Sequence, residues 1–371
     1  MIRRHAIVCL AALLAGCSSK GPQPADLPEL ASPQKVRVLW SAQVGGAEPY
    51  IFAPALAGDS VYAAARDGTV ARIAADSGKD RWRVSLELPL SGGVGSDGET
   101  VVVASQEGEV AALDAASGKL RWRARVSSEV LSAPTVGRDV VLVRSIDNRI
   151  FAFDAADGKR RWVYQRPATS LALRAPAGAV IQDDTAYAGF RGGKLVAIAL
   201  ASGGARWEVT VAAPKGTTEL ERVVDVVGDP AVQGREVCAT AYQGRVACFE
   251  TVNGNQIWTR EISSVTGVSL DARYAFVSDE RGSVQAFDRS SGRPVWKQEK
   301  LALRQLSLPR PAGSAVVVGD FEGYVHFLSR DSGEFLARFS SDGGAIRAAP
   351  IQIPAGLLIQ TENGDLHALS L

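Results

Sequence analysis

Residues 100–122 read T-V-V-V-A-S-Q-E-G-E-V-A-A-L-D-A-A-S-G-K-L-R-W. The Val-rich run from Thr100 to Ala104 predicts a strand. Glu107-Gly108 follows, and glycine tolerates the positive φ that a hairpin turn needs. Val110 to Leu113 alternates apolar and small residues, as a second strand would. Ser117-Gly118 marks a second turn, which leads into a strand carrying Trp122.

The phrase recurs. Tryptophan stands at 40, 82, 122, 162, 207, 258 and 296, with spacings of 42, 40, 40, 45, 51 and 38 residues. Hairpin turns are expected at Asp67-Gly68, Glu107-Gly108, Asp147-Asn148, Gly192-Gly193, Gln243-Gly244, Arg281-Gly282, Glu322-Gly323 and Asn363-Gly364. A further phrase, F-L-S-R-D-S-G-E-F-L-A-R-F, has the same anatomy without tryptophan. Four short strands per repeat of about 40 residues is the arithmetic of a β-propeller blade. Eight turns give eight blades. The expected fold is all-β, an eight-bladed propeller of four-stranded antiparallel blades over residues 35–371.

The last repeat stops after its inner strands, at Leu371. Val36 to Val44 is a tryptophan strand without inner strands before it. The two should join, the N-terminal strand completing the last blade and covering its edge. A tryptophan at one fixed place per blade reads as packing between blades rather than as a ligand cage. Asp114, Asp154 and Asp288 recur before the second turn, where they should bind turn backbone rather than act as acids.

Composition narrows the function. The 371 residues are 46% hydrophobic and 22% charged, with a net charge of +1, so neither a disordered nor a polytopic membrane chain is indicated. Near-neutral charge gives no electrostatic reason to expect nucleic acid. Three histidines leave little for a clustered-histidine centre, and His326 and His367 fall in different blades. No P-loop, G-x-S-x-G or C-x-x-C occurs. No metal and no cofactor are expected.

The N-terminus carries an address. Arg3, Arg4 and His5 precede an apolar run from Ala6 to Leu14, too short to span a bilayer as a helix. Leu14-Ala15-Gly16-Cys17 resembles a bacterial lipobox. Residues 1–16 are then a signal peptide, and Cys17 is the lipidated residue. An ordinary signal peptide with a chance cysteine is the alternative. Among lipoproteins, Ser18 rather than Asp after the cysteine implies the outer membrane. Losing Arg3 and Arg4 leaves a mature charge of 39 − 40 = −1. Residues 17–34, rich in Pro and Ser, should form an extended, flexible tether.

Cys238 and Cys248 flank the Gln243-Gly244 turn, and the periplasm permits a disulfide. Register decides. A two-residue loop places 238 opposite 249, with the thiols on opposite faces. A three-residue loop places 238 opposite 248.

Departures from the repeat are where binding is sought. The long spacings reflect insertions before blades four and five, which should emerge on one face of the disc. The first holds Leu171, Leu173 and Arg174. The second holds Glu219, Glu221, Arg222 and Asp225. Apolar anchors beside arginine are what protein interfaces favour.

The repeat A-x-D-x-x-S-G-x-x-x-W resembles that of quinoprotein dehydrogenases, propellers that bind pyrroloquinoline quinone and calcium. Their adjacent cysteines and acidic calcium loops are missing here. The closer resemblance is to the BamB family, propeller lipoproteins of the outer-membrane β-barrel assembly machinery. It rests on S-L-A-L-R (170–174), T-E-L-E-R-V-V-D-V (218–226) and V-V-G-D-F-E-G-Y-V-H (317–326). The resemblance implies a non-catalytic scaffold on the periplasmic face of the outer membrane. Its partner would be a BamA-like barrel protein, bound through POTRA domains. Leu171, Leu173, Arg174 and Asp225 match the family's contact residues. Val227 stands where the family has a second acidic residue, and Asp229 is the nearby substitute. Unfolded outer-membrane proteins are a further expected partner, taken up by strand addition. A quinoprotein-like dehydrogenase and a small-ligand propeller are the competing readings.

Overall fold

The structure is a computed structural model and describes residues 22–167, 171 and 173–371. Eight four-stranded antiparallel sheets follow one another. Blades one to seven span 55–85, 90–125, 135–165, 179–210, 226–261, 268–298 and 310–340. Blade eight takes three strands from 351–370 and its outer strand, Arg37–Gln43, from the other end of the chain. Arg37 pairs with Ser370 and Gln43 with Asp365, closing the ring as expected. There is no helix among the described residues.

The seven tryptophans share one geometry. Each indole Nε1 donates to a backbone carbonyl in the second turn of the next blade, as Trp122 does to Ala155 O at 2.9 Å. The ring lies flat on that turn's glycine. At Gly158 φ is +74°, and a Cβ would sit 2.7 Å from the Trp122 ring. Only glycine meets both demands. Tryptophan and glycine are thus two halves of one contact between blades.

This explains why blade seven has none. The fourth strand of blade eight comes from the N-terminal side, so no second turn joins it to the third. A tryptophan in blade seven would have neither glycine nor carbonyl to dock on. Ala337 takes the position, and the residue opposite it is Phe327, where blade two pairs Trp122 with Ala112. The large side chain has moved across the ladder, and Phe327 is buried.

The aspartates before the second turns bind backbone. Asp114, Asp154 and Asp288 accept from the N–H of Ser117, Ala156 and Ser291 at 2.9–3.0 Å. Hydrogen bonds from Ser291 and Ser290 hold the Asp288 carboxyl down to about 2. These groups are committed to turns.

The hairpin turns are one residue longer than a two-residue loop. Thr240 pairs with Val246 and Cys238 with Cys248, which leaves Tyr242, Gln243 and Gly244 as the loop. The positive φ falls on Gln243 (48°) and not on the glycine. In that register the two thiols share a face, and Cys238 and Cys248 are joined as a disulfide beneath Trp258. The bond closes a short loop, with the cysteines 10 residues apart. Replacing both by alanine should lower the unfolding free energy by about 2–3 kcal/mol in chain-entropy terms. Urea unfolding under oxidising and reducing conditions measures it, and the double variant should be insensitive to reductant.

Where a free tether was expected, residues 22–34 are extended but lie against the propeller. Ala25 N–H donates to Ala302 O at 2.9 Å, and Gln34 N–H to Leu336 O at 2.8 Å. Leu27 packs into the apolar seam between blades six and seven. Pro and Ser suit an extended strap as well as a tether; the apolar Leu27 gives it something to bury.

Candidate functional site

Blade geometry sorts the loops onto two faces. Strands alternate in direction, so the segments joining successive blades emerge on the same face as the hairpin between the second and third strands of each blade. Both insertions lie on this loop face. The first runs from 166 to 178 and the second from 211 to 225.

Asp225 fastens them together. It is 5% exposed. Its Oδ2 accepts from Leu173 N–H at 2.7 Å and its Oδ1 from Gly192 N–H at 3.2 Å. Its backbone bridges Arg191 and accepts from Tyr242 N–H at 2.9 Å. The carboxylate therefore joins the first insertion to the hairpin of blade four, and the backbone of the same residue ties both to the hairpin of blade five. Asp225 is a positioning group within this surface, not a charge displayed on it.

Arg174 is displayed. Its side chain is half exposed, and its guanidinium makes a two-point pair with Glu129, Nε to Oε2 at 3.1 Å and Nη2 to Oε1 at 2.5 Å. It also lies 5.9 Å from the Tyr50 ring. The Glu129 carboxylate raises the Arg174 pKa further, so the charge is permanent. A fork held by two bonds is pre-oriented for a second acceptor.

The remaining residues divide by role. Leu171 is 45% exposed. Leu173 is half-buried over a small cavity lined by Leu131, Arg144, Arg191 and Asp225. Burial pushes the Arg144 guanidinium down to about 10, and the ring of Phe190 lies 5.0 Å from it. Glu221 turns back on its own loop, accepting from Thr217 and Thr218 N–H at 2.9 and 3.0 Å. Those bonds lower its pKa. Glu219 and Arg222 are exposed on the same loop.

Asp229 is elsewhere. It lines the central channel and accepts from Gly178 N–H at 2.6 Å. Its side chain is open to the channel, and the protein around it still pushes its pKa up, against the pull of Gly178, Arg144 and Arg310. It does not stand in at the rim for the acidic residue that Val227 replaces, and Val227 itself is buried. Cys17 lies outside the described residues.

Sequence reading passed over Leu220. It is 72% exposed, at the tip of the second insertion. Val265 and Leu303, on the loops entering blades six and seven, are exposed too. Four successive loops of one face thus present Leu171, Leu220, Val265 and Leu303. The signal was available, since a leucine flanked by Glu219 and Glu221 in an insertion has no strand face to bury.

A sequence profile described as "Outer membrane protein assembly factor BamB" matches residues 66–298. The chain belongs to the BamB family. A relative from Bordetella pertussis with that name is 47% identical over 370 residues, covering 98% of this chain and 96% of its own. One from Pseudomonas aeruginosa is 44% identical, covering 100% and 99%. The crystal structure of BamB from Moraxella catarrhalis superposes with a TM-score of 0.84 at 26% identity, over 91% of this chain and 100% of that one. A quinohemoprotein alcohol dehydrogenase from Comamonas testosteroni reaches 0.67 at 13% identity, covering 90% and 76%, which is likeness of fold alone. The BamB relatives carry the name of an outer membrane protein assembly factor, and this chain shares the eight-bladed propeller of the BamB crystal structure.

Proposed function

We propose that this chain is a scaffold lipoprotein of the outer-membrane protein assembly machinery. Its relatives carry the name of outer membrane protein assembly factor. Cys17 carries the lipid and holds the propeller at the periplasmic face of the outer membrane. The loop face grips the POTRA domains of a BamA-like barrel protein and helps orient the machine. The mechanism is binding, not turnover.

One observation carries this reading. The two insertions are fused through Asp225 into a single surface that presents Leu171, Arg174 and Leu220. A surface already ordered loses less conformational freedom on binding. Apolar anchors around a two-point arginine match the composition of interface hot spots.

Site-specific photocrosslinking in the native envelope tests the face. A photoreactive residue at Leu220 should capture the barrel protein. The same residue at Val252, exposed on the opposite face, should not. Equal capture at both positions, or capture at Val252 alone, would exclude the loop face as the interface.

A further inference from the structure

The strap before the first strand is gripped by buried groups. Arg304 is 3% exposed, with Nε on Asp320 Oδ2 at 2.7 Å and Nη2 on Glu322. Its remaining Nη1 donates to Ala25 O at 3.1 Å. Arg338 Nη2 donates to Pro28 O at 3.0 Å, and its Nε donates to His326 Nδ1. His326 Nε2 faces Asp320 at 2.9 Å, so the neutral ring donates there and accepts from Arg338. Burial works against the Asp320 charge, but His326 and Arg304 more than offset it and hold its pKa low. The arginines are therefore oriented from beneath, and their outward N–H groups aim at the strap.

The strap has a direction. Gln34 sits beside Leu336, near the start of the outer strand Phe335–Ser340, and Pro28 sits beside Arg338 further along. Ala25 reaches Ala302, on the loop entering blade seven. The strap runs antiparallel to that strand and leaves the propeller on the loop face. This is the face of the two insertions, two blades round the ring from the second.

We propose that the docked strap fixes which edge of the propeller meets the membrane: the loop-face rim of blades six and seven lies against the lipid surface. The proposal rests on Cys17 being the lipidated residue. From Cys17 to Ala25 is eight residues, a reach of at most about 28 Å. From Cys17 to Arg37, with no strap docked, it is 20 residues, or about 70 Å. The long reach, several times the roughly 17 Å length of a five-residue strand, lets either end of a blade meet the lipid. The short one starts at the loop-face rim of blades six and seven and holds that rim within about 28 Å of the lipid. Leu303 stands exposed at the same rim.

The test uses the full lipidated protein in vesicles of phosphatidylethanolamine and phosphatidylglycerol containing a headgroup spin-labelled lipid. A fluorophore is placed by Lys300→Cys at the rim or by Ala272→Cys at the opposite end of blade six. The two ends are about 17 Å apart along a five-residue strand. Quenching is expected at 300 and only background at 272. In Leu27→Asp, which undocks the strap from its apolar seam and leaves every blade residue as it is, the contrast should disappear. Equal quenching at both sites, or a contrast unchanged by Leu27→Asp, would overturn the orientation. The intact mass of the protein separates the two claims: a Cys17 without lipid overturns the proposal through its premise, whatever the quenching.

Discussion

Trp122→Ala is expected to lower the free energy of unfolding by about 3–5 kcal/mol, the usual cost of emptying a large aromatic site. Two losses add. The indole leaves a cavity between blades two and three, where it packs beside Phe153 at 6.1 Å. Ala155 O also loses its donor, and a buried unpaired carbonyl costs about 1–3 kcal/mol. Trp122→Phe should recover most of the packing but not the bond, and should fall between. Gly158→Ala attacks the same contact from the other blade. Its Cβ cannot fit 2.7 Å from the ring, and its φ of +74° is strained for alanine. Urea unfolding of residues 22–371 measures all three. A loss below about 1 kcal/mol for Trp122→Ala would mean that these tryptophans do not hold the blades together.

Asp225→Ala should be nearly as costly and should act on binding too. The variant leaves Leu173 N–H and Gly192 N–H without their acceptor, for about 1–3 kcal/mol each. The first insertion then loses its tie to blade five. Amide exchange at Leu173 and Gly192 should rise well before the blades unfold. Affinity for the POTRA domains should fall by tenfold or more, about 1.4 kcal/mol or above, although Asp225 itself need touch no partner. Asp225→Asn keeps one acceptor oxygen and should retain part of both effects. If exchange at Leu173 is unchanged in Asp225→Ala, the carboxylate is not what orders the loop.

The fold was legible because a propeller repeats its signals locally. Each turn, strand and tryptophan lies within about 40 residues of its counterpart, so spacing alone revealed eight blades and the closure between Arg37–Gln43 and the last blade. The loop face was legible for the same reason, as an interruption of spacing. What escaped depends on contacts far apart in sequence. Asp225 reads as a surface acid among Glu219, Glu221 and Arg222, and only the bond to Leu173, 52 residues away, shows that it points inward. Asp229 reads as its neighbour but faces the channel, because the chain has by then entered the first strand of blade five. Arg304 and Arg338 read as ordinary surface charges, and their grip on Ala25 and Pro28 spans 279 and 310 residues. Blade seven's phrase lacks a tryptophan for a reason that lies at the other end of the chain: closure leaves it nothing to dock on.

The structure also changes which substitutions probe the interface cleanly. Leu173 lies over a cavity and its N–H is tied to Asp225, so truncation there disturbs the loop as well as the surface. Arg174→Ala strands Glu129. Leu171 and Leu220 project from the surface and can be shortened with little effect on the fold.

The loop face is proposed to bind the periplasmic domains of the barrel protein. Calorimetric titration of residues 18–371 with those domains from the same source, for the parent chain and for Leu171→Ala/Leu220→Ala, tests it most directly. Saturable binding by the parent is expected, with an affinity weaker by about 1–3 kcal/mol per anchor in the variant and unfolding unchanged. Binding of equal strength by both proteins, or no binding by the parent at high concentration, would contradict it.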